Sequence, residues 1–302
     1  MTALSDLKSA PIYKGLHVGY PGAGKTGCLA SVINTGRYKL RVLDFDGKFD
    51  PLRTYIKPEF HPLVDIVTLR DMRFLGAKRM ETQGRPQAFA RAIDLLKHWK
   101  YKNADGTETD LGKPAEWGGD TIVMVDSLTN MGRAVMNWTL FCQDRVAKGP
   151  RRSDWGIAQD SQEALVQEVM SRERVGCHVV LTAHLKLIGP PEESEDDEDE
   201  GGGGGSDSVK REKQQKLMRY VGYKLFPSAL GRALPPEIAK HCPFVIRHEV
   251  KILAGKVRRV MYTTPNLDFD GVTVPLIGLP EELGIDDGLR RIFEALEKGG
   301  TV

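Results

Sequence analysis

Residues 19–26 read Gly-Tyr-Pro-Gly-Ala-Gly-Lys-Thr, the pattern G-x-x-x-x-G-K-T, and no other stretch constrains the chain so tightly. Leu16, His17 and Val18 precede it as a short strand, and Cys28 to Ile33 follow as a helix ending at Gly36. Glycine-rich backbone between a strand and a helix curls so that successive N–H groups converge on an anion, with the partial positive charge of the helix N-terminus behind them. Gly19, Tyr20, Pro21, Gly22, Ala23, Gly24 and Gly27 are read as a phosphate cradle, Lys25 as the cation for β and γ phosphates, and Thr26 as a Mg²⁺ ligand. ATP and Mg²⁺ are the implied cofactors.

The 302 residues, 40% of them hydrophobic, suffice for one large α/β domain with insertions. No apolar run approaches the ~20 residues that a bilayer span requires, and Met1 to Ser9 lacks a basic-then-apolar leader, so a cytoplasmic protein with no membrane partner is expected. Cys28, Cys142, Cys177 and Cys242 stand far apart with no C-x-x-C pair, which reads as four buried hydrophobes rather than a zinc or disulfide framework. The formal net charge of +2 hides a strong asymmetry. Glu192 to Glu200 holds eight of the 41 acidic residues, and without it 43 basic residues face 33 acidic ones, a balance of +10. A basic body with a separable acidic run fits a nucleic-acid binder carrying its own competitor, and equally a solvated loop without a role.

Tyr38 to Asp46 alternates into a second strand with carboxylates at its tip, Asp50-Pro51 opens a short helix, and Leu63 to Leu69 reads as a third strand. Phe89, Ile93, Leu96 and Trp99 recur at helical spacing after Pro86. Lys102 to Gly119 is a polar connection to Thr121–Asp126, four apolar residues and an Asp, the form of a buried strand whose terminal carboxylate holds Mg²⁺ through its water shell. Leu128, Met131, Val135, Trp138 and Cys142 mark a helix after it. A further helix runs through Leu165 and Val169, and Cys177 to His184 is a strand buried on both faces that would deliver His184 to the ligand crevice, either as a γ-phosphate sensor or as a satisfied structural histidine.

Two readings stand for Arg145 to Trp155. Arg145, Lys148, Arg151 and Arg152 can contact phosphates while Trp155 stacks on a base, or the segment is a solvated loop. Residues 190–208 are acidic and then Gly-rich, too polar to fold, and Lys210, Arg211 and further cations follow. Phe244 to Ile252 and Lys256 to Thr263 form a hairpin around Ala254-Gly255, and Asp287 to Lys298 a closing helix.

These motifs in this order resemble the ATPase core of the RecA recombinase family, over roughly Tyr13 to Thr263. Leu43-Asp44-Phe45-Asp46-Gly47-Lys48-Phe49-Asp50-Pro51 is similar to that family's segment after the P-loop, Val125-Asp126-Ser127 to its Walker B, and Thr182-Ala183-His184 to the strand end that carries its γ-phosphate sensor. The G-R-A-L-P-P segment, Gly231 to Pro236, is similar to the small RecA-like recombination and annealing ATPases of bacteriophages. The resemblance implies a mostly parallel sheet with helices on both faces and a C-terminal β-hairpin extension. It implies Lys25, Asp46, Asp126 and His184 as catalytic residues, with Asp46 the general base and Asp50 at the adenine. It implies single-stranded DNA as partner, a homo-oligomer, a single-strand-binding protein as a further contact, and a bacterial host cytoplasm if phage-encoded. Domain bounds follow as an extension at 1–12, an ATPase domain at 13–264 with the insertion 190–208, and a tail at 265–302. Asp46 stands where the family has Glu and His184 where it has Gln. A nucleotide switch or loader acting on a protein, and a small-molecule kinase, are the alternatives. Arg258 and Arg259 are the expected donors of a cation to a neighbouring subunit's site.

Overall fold

The computed structural model describes residues 11–75, 80–82, 84–146, 149–188, 224–253, 255–264 and 278–298. The strands in chain order are β1 (Lys14–Gly19), β2 (Lys39–Asp44), β3 (Val64–Thr68), β4 (Arg73–Leu75), β5 (Met80–Thr82), β6 (Lys100–Lys102), β7 (Glu108–Asp110), β8 (Thr121–Asp126), β9 (His178–Ala183), β10 (Leu185–Ile188), β11 (Lys224–Pro227), β12 (Phe244–Leu253), β13 (Lys256–Tyr262) and β14 (Glu282–Gly284). The helices are α1 (Ala30–Ile33), α2 (Asp50–Tyr55), α3 (Ala88–Lys97), α4 (Leu128–Cys142), α5 (Arg152–Met170), α6 (Leu234–Ile238) and α7 (Gly288–Glu297).

Eight strands make one sheet in the order β14-β13-β12-β1-β9-β8-β2-β3. Every pairing from β12 to β3 is parallel, and β13 and β14 add antiparallel strands at one edge. The expected α/β fold with a C-terminal hairpin is present. β1, β8 and β9 are buried along their whole lengths, which is why β8 and β9 read as largely apolar runs, whereas β1 carries the buried polar residues Lys14 and His17. Alternate side chains divide between two cores: Val123 and Val125 pack with α3, α4, α5 and α6 on one face, Ile122 and Met124 with α1, α2 and α7 on the other. The described part of the segment expected as a tail, 278–298, supplies β14 to the sheet and α7 to the second core, where Phe293 meets Tyr13 at 5.4 Å between ring centroids.

Three expectations are corrected. Arg152 to Trp155 is not loop but the first turn of α5, because Asp154 folds back to accept the Arg151 N–H at 2.6 Å and caps the helix. Cys142 is exposed, while the other three cysteines are buried. The polar connection 102–119 carries the small hairpin β6–β7, which the sequence does not announce. The acidic run, the glycines and the basic stretch 210–219 lie outside the described residues, between β10 and β11, which pair antiparallel as the two arms of a ribbon.

Lys14 shows how long-range contacts fix the frame. It is buried at the start of β1, and its ammonium donates to the carbonyls of Val169 at 3.1 Å and Ser171 at 3.0 Å at the C-terminus of α5 and of Val175 at 2.8 Å in the turn beyond it. Burial lowers its pKa to about 8. Lys14→Met keeps the side-chain length and removes the donors, so urea denaturation at pH 7 is expected to report a loss of about 2–3 kcal/mol from the orphaned carbonyls. A loss under about 0.5 kcal/mol would mean that the helix end finds other donors.

Candidate functional site

The carboxyl ends of β1, β2, β8 and β9 come level with one another: Asp44 pairs with Asp126, and Val18 with Ala183. In an open parallel sheet that edge is the ligand crevice. The loop after β1 is held open by backbone geometry that only glycine tolerates. Gly24 has φ +92°, and a Cβ there would stand 2.9 Å from Ile285 Cδ1 and 3.2 Å from Arg259 Cδ. Its helix begins with a 3-10 turn, Gly27–Leu29, and continues into α1.

Four of the predicted site residues converge here. Lys25 Nζ donates to the carbonyls of Gly19 at 2.8 Å and Tyr20 at 3.1 Å, and lies 3.5 Å from His184 Nδ1. Burial lowers its pKa, and the nearby carboxylates of Asp126 and Asp46 oppose that shift. An ammonium has only donors, so Nδ1 of His184 is an acceptor, and the ring carries its proton on Nε2, which faces Asp46 Oδ2 at 4.0 Å. Burial and the Lys25 charge lower the His184 pKa, so the ring is neutral at pH 7. Its backbone is fixed by two bonds, the His184 N–H to Thr129 Oγ1 at 3.2 Å and the Ser228 N–H to the His184 carbonyl at 2.7 Å.

Asp46 lies past the end of β2, in a turn made by Asp44, whose Oδ1 accepts the N–H groups of Asp46 at 3.0 Å and Gly47 at 2.6 Å. Both donors to the Asp46 carboxylate, Ser127 Oγ and Asn130 Nδ2, reach the same oxygen, Oδ1, at 2.7 Å. Oδ2 is therefore the oxygen turned toward His184. Ser127 and Asn130 are site residues that sequence reasoning did not single out; Asn130 stands four residues past Asp126, on the first turn of α4.

Asp126 joins the two halves. Its Oδ2 accepts from Thr26 Oγ1 at 3.0 Å and its Oδ1 from Thr182 Oγ1 at 2.5 Å, so the expected metal pair, Thr26 and Asp126, is in direct contact. A magnesium ion bound by Thr26 Oγ1, with Asp126 behind its water shell, would take the place of that hydrogen bond; hard oxygen donors of this kind fit it. Burial raises the Asp126 pKa to about 6, against the lowering effect of the Thr182 hydroxyl.

Other assigned residues fall elsewhere. Asp50 is exposed on the first turn of α2, and Arg151 and Arg152 are exposed at the start of α5 with Trp155 beside them, 39% accessible. Arg145 is not available to a phosphate: its Nε lies 3.2 Å from Asp154 Oδ2 and its Nη2 donates to the Gly149 carbonyl, with the pair almost wholly buried. Lys148, Lys210 and Arg211 lie outside the described residues. Arg259, expected to serve a neighbouring subunit, donates from Nε to the Gly22 carbonyl of its own loop at 2.8 Å. A polar pocket beside Asp46 is lined by Lys48, Arg70, Asn130, Arg133 and Asn137, and it brings Lys48 together with two cations, Arg70 and Arg133, that no motif marks.

The Asp126 shift sets a pH signature. Its folded pKa of about 6 stands above the usual carboxylate range, so its stabilising effect is complete below about pH 4 and is lost as pH rises through 6, where the ionised, buried carboxylate becomes a cost. Asp126→Asn is therefore expected to raise the stability of the ligand-free protein by about 1–3 kcal/mol above pH 7, with the gain vanishing near pH 4, as read by thermal melting. Mg²⁺ binding should weaken in the wild type as pH falls through 6. A variant less stable than the wild type at pH 8 would overturn the assignment.

No protein-family model matches this chain, and no curated protein does. Among solved structures, the chain is similar to the RadB recombinase at 14% identity, covering 87% of this chain and 86% of that one with a TM-score of 0.39. It is similar to the flagellar accessory protein FlaH of Methanocaldococcus jannaschii at 9% identity, covering 88% and 84% with a TM-score of 0.36. A KaiC-like protein of the hyperthermophilic archaeon Pyrococcus horikoshii is similar at 12% identity, covering 84% and 79% with a TM-score of 0.35. Likenesses of this size assign no family, and the chemistry is read from the site itself.

Proposed function

We propose that the chain is a RecA-like protein that binds and hydrolyses ATP with Mg²⁺ and acts on single-stranded DNA in phage-type homologous recombination or strand annealing. The observation that carries the ATPase half is the link from Lys25 through His184 to Asp46: a phosphate-binding cation 3.5 Å from one imidazole nitrogen, and a carboxylate oxygen 4.0 Å from the other. A γ-phosphate held by Lys25 would lie beside His184, and Asp46 Oδ2, near the other imidazole nitrogen, is the carboxylate oxygen that would serve the attacking water. Asp46 then orients and deprotonates the water, Lys25 and Mg²⁺ at Thr26 and Asp126 neutralise charge on the phosphates, and His184 passes the state of the site to the β10–β11 ribbon that starts at the next residue.

The DNA half rests on the motif resemblance and on the exposed Arg151, Arg152 and Trp155 at the start of α5, which suit phosphate contact and base stacking. A homo-oligomer, a single-strand-binding protein as partner and a cytoplasmic location belong to the same reading. A second reading, a nucleotide switch or loader with slow turnover acting on a protein, is favoured by the Asp46 side chain, one methylene shorter than the Glu that the motif resemblance places there. The small-molecule kinase is the least supported reading, with the cationic pocket beside Asp46 as its acceptor site.

ATPase assays with and without single-stranded DNA and with phosphoryl acceptors separate the three. Lys25→Ala is expected to abolish tight ATP binding in a calorimetric titration, and unchanged affinity would sink the loop assignment. Asp46→Asn is expected to hold ATP affinity within a few-fold while turnover falls by about 10² or more. Equal losses in binding and turnover would give Asp46 a structural role instead.

A further inference from the structure

Directly behind the phosphate-binding loop, three donors that the nucleotide chemistry does not use meet in the core. His17 lies two residues before the loop on β1, His248 lies across from Gly19 on β12, and Cys28 stands on the first turn after Thr26. All three are fully or almost fully buried. His17 Nδ1 and His248 Nε2 are 2.8 Å apart, Cys28 Sγ is 3.8 Å from His17 Nδ1, and the three donor atoms lie within 4.8 Å of one another.

We propose that His17, Cys28 and His248 form a site for one divalent metal ion of the zinc class, clamping the phosphate-binding loop to the sheet from below. Thiolate and imidazole are the donors that zinc selects, with Zn–N of about 2.0–2.1 Å and Zn–S of about 2.3 Å. Around a tetrahedral centre those lengths place S and N roughly 3.6 Å apart and two N atoms about 3.3 Å apart. The observed S···N distance fits within a few tenths of an ångström, and the two imidazoles have to part by about half an ångström.

The surroundings keep both imidazoles neutral and keep the thiol protonated until a metal binds. Burial holds the His17 pKa down to about 3 and that of His248 well below its ordinary value, so both rings are neutral at pH 7, as metal ligands must be. Tyr13 Oη lies 2.8 Å from His17 Nε2. With Nε2–H donating to that hydroxyl, the lone pair of Nδ1 points at the site, the outer contact that metal-bound histidines ordinarily have. His248 Nδ1 is buried and has no hydrogen-bond partner, so hydrogen bonding alone leaves this ring half served. Cys28 is a protonated thiol in the metal-free protein, its pKa raised by burial, and donates to the Lys25 carbonyl at 3.0 Å. Metal binding releases that thiol proton to solvent and breaks the imidazole–imidazole hydrogen bond; the proton His248 Nε2 donates in that bond moves to Nδ1 of the same ring, and two metal–nitrogen bonds and one metal–sulfur bond form. The carbonyl set free belongs to Lys25, which ties the site to the loop's phosphate-binding residue.

The test uses the untagged full-length chain, expressed in zinc-supplemented medium and, in parallel, refolded from urea with Co²⁺. The expected result is about one metal ion per chain by elemental analysis, with thiolate-to-cobalt charge-transfer absorption in the near ultraviolet. Cys28→Ala should lose that absorption and weaken metal binding at least about ten-fold, while Cys142→Ser, which alters the exposed thiol, should retain both. His248→Phe gives a second removal in case Cys28→Ala does not fold, with circular dichroism as the check on folding. Folded wild-type protein that takes up no metal by either route, or a folded Cys28→Ala variant with undiminished stoichiometry and an unchanged spectrum, overturns the proposal and leaves the imidazoles as a hydrogen-bonded pair only.

Discussion

A carboxylate 8% exposed at the end of a buried strand has to be given donors, and the way Asp126 obtains them sets the rest of the site. Thr26 approaches from the glycine-rich loop after β1 and Thr182 from β9, so one side chain measures the distance between the loop and the strand that leads to His184. The main-chain carbonyl of the same residue accepts the N–H groups of Phe45 at 2.6 Å and Asp46 at 3.2 Å, which fixes the turn beyond β2. Asp126 thus locates the cation, the carboxylate and the imidazole against one another. The cost is a carboxyl group with a raised pKa, which a divalent cation in front of it would relieve.

The parts of this arrangement that lie within one short stretch were open to reading in the sequence. The loop's glycines and Lys25 are spaced for a task that a backbone can do alone, and the apolar runs at 121–126 and 177–184 could be read as central strands because both faces of a central strand are covered. Even the place of β9 between β1 and β8 follows once the motifs are matched to a parallel ATPase core, and the sheet order agrees. Pairing across the chain was not legible. Nothing near Lys14 in the sequence shows that the end of α5 and the turn after it bring three carbonyls to it, and Arg145 reads as a free cation until the first turn of α5 brings Asp154. In both cases the partner of a charged residue arrives from another element.

Arg259 is a similar case with a functional edge. A cation on a sheet-edge hairpin suggests reach toward another subunit, but β13 pairs with β12 in a register that lays Arg259 over the chain's own loop, where it bonds the Gly22 carbonyl. β14 then closes over the same place, with Ile285 against Gly24. The carboxy-terminal strands therefore roof the glycine-rich loop while pairing into the sheet. Period-two alternation identified β12 and β13 as strands; it carries no information about which loop their edge will cover.

The loop thus separates two electrostatic environments. In front of it stand Asp126, Asp46 and the neutral His184; behind it stand His17, His248 and a protonated Cys28, with Tyr13 beyond them, none of which is charged at pH 7. Lys25 is placed at the boundary, its ammonium held by the carbonyls of Gly19 and Tyr20. In the metal-free protein the buried side offers no counter-charge among the described residues, so the ammonium is compensated from the front, by the carboxylates that raise its pKa against the effect of burial. A divalent ion with one thiolate behind the loop would add net positive charge on that side, so metal binding there would strengthen the field that the loop presents to an anion in front of it.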